Sequence, residues 1–239
     1  MLLHLIIPDQ FFFKHFLSPE ANELFYTRSA MVIAQMQTLQ ELCSEIINCK
    51  KCDLYMSRKN PVCGFGNPSP EIMIIGEAPG AREDEVGKPF VGRSGKLLNR
   101  ALEYAGIHPH ELYISNSVRC RPRIGKSPKM PEIKKCSDYL RVEIEILKPK
   151  IVVPMGNSAL KSISIILGRK TGKVSEVEGR FLYVSGIILA PQYHPAAILR
   201  NPKRLERFKD NFARISRLKD DLQGGVDKQF LEVHAVKMF

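Results

Sequence analysis

The sequence predicts an α/β fold built around a parallel sheet. Four short apolar runs rich in isoleucine and valine lie along the chain, and none alternates strictly between apolar and polar residues. Runs of this kind suit strands that are buried on both faces. Helical patterns of roughly 10–20 residues separate them, which is the spacing of βαβ units. The four runs are Glu71–Gly76, Leu112–Val118, Ile151–Gly156 and Gly186–Pro191.

The predicted helices fill the intervals before, between and after these runs. One of them ends at a glycine and another opens with proline in its first turn, which are common stop and start signals. A stretch at residues 171–182 predicts a small β excursion before the last strand. The helices are predicted at residues 31–48, Ser94–Gly106, Pro131–Leu147, Ser158–Leu167 and Pro202–Leu222.

Length and composition predict one domain with extensions. The chain has 239 residues, and 44% of them are hydrophobic, which is enough for one sizeable core. We expect the domain at residues 31–222, an extension at 1–30 and a tail at 223–239. The apolar start lacks the features of a signal peptide, so it is interpreted as a surface-packed extension or as sequence upstream of a native start at Met31. No apolar stretch reaches bilayer-spanning length, so no membrane partner is expected.

The net charge of +11 and the pI near 9.4 favour a polyanionic partner. A strongly basic domain is typical of nucleic-acid binding, although a solvated basic surface is the simpler alternative. Two basic clusters follow the second and fourth runs, on the functional side of the predicted sheet. We therefore expect a cytoplasmic protein that acts on nucleic acid. The clusters are Arg119, Arg121, Arg123, Lys126, Lys129, Lys134 and Lys135, and Arg200, Lys203, Arg204 and Arg207.

Four of the six cysteines are spaced as metal ligands. Cys49 and Cys52 form a C-x2-C pair, and Cys120 and Cys136 can complete a four-thiolate shell. The wide separation of the second pair favours a 4Fe–4S cluster over zinc, while unrelated thiols are a third alternative.

The other two cysteines receive different interpretations. Cys43 falls in a helical pattern and is expected to be an ordinary buried residue, whereas Cys63 is the main rival for a ligand position. No disulfide is expected, because the chain shows no secretory signal and a core of this size does not need covalent links.

Several side chains follow the carboxyl ends of the predicted strands, where open α/β sheets bind ligands. Glu77, Phe90, Asn116 and His194 are therefore predicted to meet in one pocket. Phe90 offers a stacking face for a base or plugs the core. Asn116 matches the edge of a pyrimidine or is a satisfied interior residue. His194 donates to developing negative charge or is structural.

Motifs in this order resemble the family 4 uracil-DNA glycosylases, the thermostable, iron–sulfur type of archaea and some bacteria. The motifs are GEAPGAREDEVGKPFVGRSGKLL, ISNSVRCRP, the four-cysteine spacing and YHPAAILRNP, and they span Cys49 to Phe212. The resemblance implies a single domain with a four-stranded parallel sheet flanked by helices. It also implies removal of uracil from DNA, in base excision repair, and a 4Fe–4S cluster held by Cys49, Cys52, Cys120 and Cys136.

The resemblance also implies roles for the pocket residues in binding the base. Phe90 would stack on a flipped uracil, Asn116 would bond its O4 and N3–H, and Glu83 would exclude the methyl group of thymine. Backbone amides in the turn that contains Ala78 would assist binding.

The same resemblance implies the roles in catalysis. His194 would donate to O2 of uracil, and Glu77 would face the sugar or orient the attacking water. No lysine is clearly placed as an attacking amine, so a monofunctional enzyme is expected.

The expected partner is uracil-containing DNA, double- or single-stranded, bound by a monomer. Basic loops would grip the phosphates and an apolar stretch would wedge into the vacated base position. Gln223, Val226 and Phe230 loosely resemble a sliding-clamp-binding peptide, although a frayed apolar terminus is the simpler interpretation. The DNA-contacting residues are predicted to be Arg119, Arg121, Ala197, Ile198, Leu199 and Arg200.

Two other functions fit part of the pattern. A non-catalytic iron–sulfur or zinc module that binds nucleic acid explains the charge and the cysteines, but not the pocket residues. A small-molecule enzyme such as a nucleotide hydrolase explains the acidic residues, but not the basic rim.

Overall fold

The structure, a computed structural model, describes residues 19–123 and 126–224, with side chains from residue 30 onward. Six strands in these ranges form one sheet. In chain order they are β1 (Phe65–Gly66), β2 (Ile72–Gly76), β3 (Leu112–Asn116), β4 (Ile151–Pro154), β5 (Leu182–Val184) and β6 (Ile187–Leu189). Their spatial order is β1-β3-β2-β4-β6-β5.

The four central strands β3, β2, β4 and β6 are parallel, which confirms the predicted sheet. One of the two edge strands was not predicted from the sequence. β1 pairs antiparallel with β3, and β5 pairs antiparallel with β6. The excursion predicted at residues 171–182 contains one helical turn, and the strand β5 begins only at its last residue, Leu182.

Helices cover both faces of the sheet. They are α1 (Pro19–Ile47), α2 (Ala81–Val86), α3 (Arg93–Tyr104), α4 (Met130–Leu147), α5 (Asn157–Leu167), α6 (Val174–Val177), α7 (Pro195–Arg200) and α8 (Leu205–Gln223). Short 3-10 turns occupy Asp53–Met56, Pro109–Glu111 and Pro202–Arg204. Helix α1 begins at Pro19 rather than at residue 31, so it crosses the boundary predicted between extension and domain.

Alternation along the buried strands divides the apolar residues between two cores. In β2, Ile72 and Ile74 pack with α3 and α8, whereas Met73 and Ile75 pack on the opposite face with α4 and α5. All five residues of β2 are buried, which explains why its sequence is apolar throughout.

A third, smaller core lies beside the sheet rather than on it. It joins the end of α1 and the loop that follows to the start of α4, and its buried members include Leu42, Ile46, Val118 and Ile133. We call this region, together with Cys49, Cys52, Cys120 and Cys136, the cysteine lobe.

Among the residues that the structure describes, no helix is both long and apolar enough to cross a membrane. The predicted clamp-binding motif falls mostly on residues 225–239, which lie outside the described ranges.

Candidate active site

A cavity of about 480 Å³ opens at the carboxyl ends of the parallel strands. We call it the strand-end pocket. Loops after β2, β3 and β6 contribute its walls, as the strand order predicts. The predicted residues Glu77, Ala78, Glu83, Phe90, Asn116, Arg121 and His194 all line it.

Gly76 at the end of β2 allows two pocket side chains to approach the backbone. It pairs with Asn116 across the sheet. A Cβ atom at Gly76 would lie 2.3 Å from Oδ1 of Asn116 and 2.8 Å from the ring of Phe90. Any other residue here would displace both side chains, so the glycine fixes the floor of the pocket.

Phe90 is held in an uncommon backbone conformation. Its φ of 53° is left-handed, and a Cβ at Gly95 would lie 1.7 Å from its carbonyl oxygen. The ring packs partly against the core and also faces the cavity. Its centroid lies 6.0 Å from that of the His194 ring, so an aromatic face and an imidazole meet in one site.

Asn116 is only 3% exposed, yet it lines the pocket, and its carboxamide forms none of the side-chain hydrogen bonds found among the described residues. A buried amide normally has its donor and acceptor satisfied. Because this one faces the cavity, both groups are free for a ligand.

His194 is held in one tautomer by the backbone. It caps the N-terminus of α7, where its Nδ1 accepts a hydrogen bond from the N–H of Ala196 at 3.2 Å. In the neutral imidazole the proton is therefore on Nε2, which becomes a donor. Burial lowers the pKa of His194, nearby Glu77 opposes that shift, and Arg200 adds to it. The neutral form is consequently favoured.

The carboxylate of Glu77 is anchored at both oxygens. Ser158 Oγ in the first turn of α5 donates to Oε2 at 2.8 Å, and Ser127 Oγ donates to Oε1 at 3.1 Å. Neither serine was predicted from the sequence. Ser158 could have been predicted as a site residue, because it lies in the first turn of the helix that follows a parallel strand, at the edge of the sheet where ligands bind.

Glu83 lies between two glycine-bearing turns. Its Oε1 accepts from the backbone N–H of Gly92 at 2.7 Å, and a Cβ at Gly80 would lie 2.6 Å from Oε2. The neighbouring Asp84 points away and accepts from the N–H of Lys59 at 2.9 Å. Thus only one of these two adjacent acids belongs to the pocket.

Two of the predicted DNA contacts are contradicted by burial. Arg119 is 2% exposed, because its guanidinium turns inward to pair with Glu143 at 2.7 Å. Ile198 is 2% exposed, because it is on the inner side of α7 and packs in the core. Neither side chain is available to DNA.

The other four predicted DNA contacts are accessible to different degrees. Arg121 lines the pocket and is half-buried, Ala197 is half-buried, and Arg200 is exposed. Leu199 is 38% exposed, so it is the large apolar side chain that this turn offers to a partner.

The buried Arg119–Glu143 pair belongs to a network beneath β3. Tyr113 Oη donates to Glu143 at 3.3 Å and Ser115 Oγ donates to it at 2.7 Å. Arg119 also bonds to Ser115. The backbone N–H of Arg119 donates to Sγ of Cys136 at 3.3 Å, which joins this network to the cysteine lobe.

The cysteine lobe contains a disulfide that the sequence analysis did not expect. Cys43 and Cys63 are bonded, which corrects both their interpretations and joins α1 to the loop before β1. The alternative ligand Cys63 is thereby removed. The free cysteines of the described ranges are Cys49, Cys52, Cys120 and Cys136.

Three of these four sulfurs accept a hydrogen bond. The donors are the N–H of Lys51 to Cys49 at 3.5 Å, Nη1 of Arg58 to Cys120 at 3.1 Å, and the N–H of Arg119 to Cys136 at 3.3 Å. Burial nevertheless raises the pKa of Cys136 to about 12 and also raises those of Cys52 and Cys120. A bound cationic group would favour the thiolates.

The donor set of the lobe suits iron and sulfur. Four soft thiol ligands lie in one apolar core, and N–H donors point at three of them, which is how proteins hold Fe–S clusters. No three His, Cys, Asp or Glu side chains in the described ranges lie close enough together to bind a single metal ion.

Comparison with known proteins gives the class of this fold and site. Residues 63–222 match the model of the uracil DNA glycosylase superfamily. A type-4 uracil-DNA glycosylase of Sulfurisphaera tokodaii is 41% identical over 189 residues, covering 77% of this chain and 86% of the relative.

Further relatives give the family within that class. The type-4 enzyme of Archaeoglobus fulgidus is 38% identical over 192 residues, covering 77% of this chain and 94% of its own. The type-4 enzyme of Pyrobaculum aerophilum is 40% identical over 179 residues, which cover 73% of this chain and 91% of the relative. The chain belongs to the type-4 uracil-DNA glycosylase family, which confirms the resemblance seen in its motifs.

Proposed function

We propose that this protein excises uracil from DNA, leaving an abasic site for base excision repair. The observation that carries the proposal is the meeting of Glu77, Phe90, Asn116 and His194 in one cavity of a type-4 chain. Enzymes that act on a base in duplex DNA extrude the nucleotide into such a pocket. A volume of about 480 Å³ is within the range of small-ligand sites.

Recognition of uracil rests on one ring and one amide. The pyrimidine stacks on Phe90, and the free carboxamide of Asn116 accepts from N3–H and donates to O4. Cytosine presents the opposite donor and acceptor order along this edge and is rejected. Glu83, fixed by Gly92, crowds C5 and excludes thymine.

Catalysis rests on placing a neutral donor where negative charge develops. Breaking the glycosidic bond leaves positive charge on the sugar and negative charge on uracil O2. Nε2–H of His194 donates to O2, and backbone N–H groups around Ala78 assist. Glu77 faces the sugar and orients the attacking water from its serine-anchored position.

The substrate is gripped from the rim of the pocket. Arg121 and Arg200 contact phosphates, while Ala197 and Leu199 fill the position that the base leaves. The protein acts as a monomer on double- or single-stranded DNA. Lys126 lines the pocket but is given no nucleophilic role, so the strand is expected to stay uncut.

The cofactor proposed for the cysteine lobe is a 4Fe–4S cluster. Cys49, Cys52, Cys120 and Cys136 would hold it. When bound, the cluster would supply a covalent link between the segment after α1 and the loop after β3. Its role is structural, because Cys120 directly precedes Arg121, which lines the pocket.

A base-release assay tests the function. We expect free uracil from duplexes with one U·G pair, no release from T·G or hypoxanthine duplexes, and strand breaks only after alkali. Asn116→Ala should lower single-turnover release roughly 100-fold, in the range measured for one lost active-site donor. The matched control is Asn67→Ala, a half-buried residue that does not line the pocket and whose side chain donates to the carbonyl of His110.

Two results would overturn the proposal. Salt-sensitive DNA binding without base release indicates a non-catalytic nucleic-acid-binding module. Release of base from free nucleotides but not from DNA indicates a small-molecule hydrolase.

A further inference from the structure

Arg58 bridges three segments of the cysteine lobe with one guanidinium group. It follows the 3-10 turn Asp53–Met56. Its Nη1 donates to Sγ of Cys120 at 3.1 Å, and its Nη2 donates to the carbonyl of Ile47 at 2.8 Å. The side chain is half-buried, so solvent weakens these bonds less than at a fully exposed site.

The bond to Ile47 satisfies a helix end. Helix α1 ends at this residue and carries no basic side chain in its last turn. The last carbonyls of a helix have no partner within the helix, and a cation near them is favourable. Arg58 supplies that cation from outside the helix.

The bond to Cys120 differs from those on the other sulfurs. Cys49 and Cys136 accept from backbone N–H groups, whereas Cys120 alone among the four accepts from a charged side chain in the described ranges. Charge-assisted hydrogen bonds are about twice as strong as neutral ones. This bond is also the one that a substitution can remove.

From this geometry we infer that Arg58 is a positioning residue for the cluster. The inference rests on the proposed 4Fe–4S site. Arg58 fixes the Cys120 ligand relative to the end of α1 and offsets part of the negative charge of the thiolates. Cys120 directly precedes Arg121, so Arg58 also supports one wall of the strand-end pocket.

Three variants separate hydrogen bonding, charge and general surface effects. Arg58→Met removes both donors and the charge. Arg58→Lys keeps the charge but cannot bridge Cys120 and Ile47 together. Arg141→Met removes an exposed arginine that pairs with Asp138 on α4, and it serves as the matched control.

The readouts are iron per chain, the rate of iron release to a chelator, and the reduction potential of the cluster. Arg58→Met should release iron roughly 10- to 100-fold faster than the unmodified protein, as expected when an outer hydrogen bond to a ligand is lost. Its reduction potential should fall, because a positive donor to sulfur is gone. Arg58→Lys should restore most of the potential but not the retention of iron. Arg141→Met should change neither.

Each alternative outcome has one meaning. Iron release and potential equal to those of Arg141→Met overturn the inference. If Arg58→Met is insoluble, Arg58→Ala also removes both donors and the charge, and unchanged iron release in that variant overturns the inference as well. Unmodified protein without iron refutes the cofactor proposal instead. Unmodified protein with iron but without uracil release refutes the proposed activity, while the iron measurements still decide the role of Arg58.

Discussion

The strand-end pocket and the cysteine lobe meet at the loop after β3, but they fix their side chains by different means. In the pocket, glycines at the ends of strands let Phe90, Asn116 and His194 pack directly against the backbone. In the lobe, side chains distant in sequence hold one another, through Arg58, the Cys43–Cys63 disulfide and the Arg119–Glu143 pair.

This difference predicts that substitutions in the two regions change different properties of the protein. Substitutions of pocket side chains leave the sheet and its glycines in place, so they should lower the rate and leave the fold intact. Substitutions in and beneath the lobe break contacts between segments, so they should lower stability first. Substitutions on each side of this division test it.

The largest effect is expected from Arg119→Met. The substitution leaves Glu143 charged and buried, and breaking a buried ion pair in this way typically costs about 3–5 kcal/mol. Urea unfolding of Arg119→Met and of Arg121→Met gives the comparison, since the second arginine is half-buried at the pocket rim. The double variant Arg119→Met, Glu143→Leu should recover most of the loss. Equal stability of the two single variants would contradict the division.

His194→Ala should give the largest effect on rate without loss of stability. Removing one preorganised donor typically costs roughly 10²–10³-fold. Single-turnover release of uracil from a U·G duplex measures it. His110→Ala is the control, because this exposed histidine lies far from the pocket. A rate within a few-fold of the control value, on the order of 1 kcal/mol or less, would remove His194 from the mechanism.

The acid limb of the pH profile tests the form of His194 that acts. Burial lowers its pKa, so the imidazole stays neutral as pH falls through the usual range of histidine. The rate of uracil release should therefore decline only below that range. The free energy of unfolding should also decline at acidic pH, because the unfolded chain binds a proton at this histidine at a higher pH than the folded protein does. The stabilising contribution is complete above the usual pKa and is lost as pH falls towards the lowered one. A rate that falls with the usual histidine pKa would contradict the neutral donor.

The pocket was predictable because a parallel sheet brings distant residues together by rule. Once four buried strands are recognised, the residues after their carboxyl ends must lie along one edge, which places Glu77, Asn116 and His194 together. No such rule governs Arg119. Its side chain points inward because it pairs with Glu143, which lies on helix α4. The sequence pattern that could have indicated this pair is an acidic residue between Leu140 and Ile144 on the buried face of that helix.

The lobe was less predictable for the same reason. Spacing predicts which cysteines could share a ligand, but the Cys43–Cys63 bond requires α1 to lie on the loop before β1. Arg58 was missed because its two acceptors belong to segments that only the fold brings together.

Ser158→Ala should have an intermediate effect on rate. It removes one hydrogen bond from the Glu77 carboxylate, and such bonds to charged groups are worth about 1.5 kcal/mol, or about 10-fold. The loss should appear in kcat with KM unchanged, because the substrate keeps its own contacts. Ser158→Thr retains the hydroxyl and should restore most of the rate. Failure of threonine to restore it would indicate that packing at the start of α5, rather than the bond to Glu77, matters.

Leu199→Ala should give the smallest effect, and it should depend on the substrate. The exposed leucine can fill the space left by the flipped base only when an opposite strand and stacked neighbours define that space. Loss of part of its apolar burial costs about 1 kcal/mol, so uracil release from duplex should fall about 5-fold. Release from single-stranded DNA should stay unchanged. Ile198→Val provides the contrast, because this neighbour is buried and should lose about 1 kcal/mol of stability without preference for either substrate. An equal loss on both substrates by Leu199→Ala would assign the leucine to general DNA contact rather than to wedging.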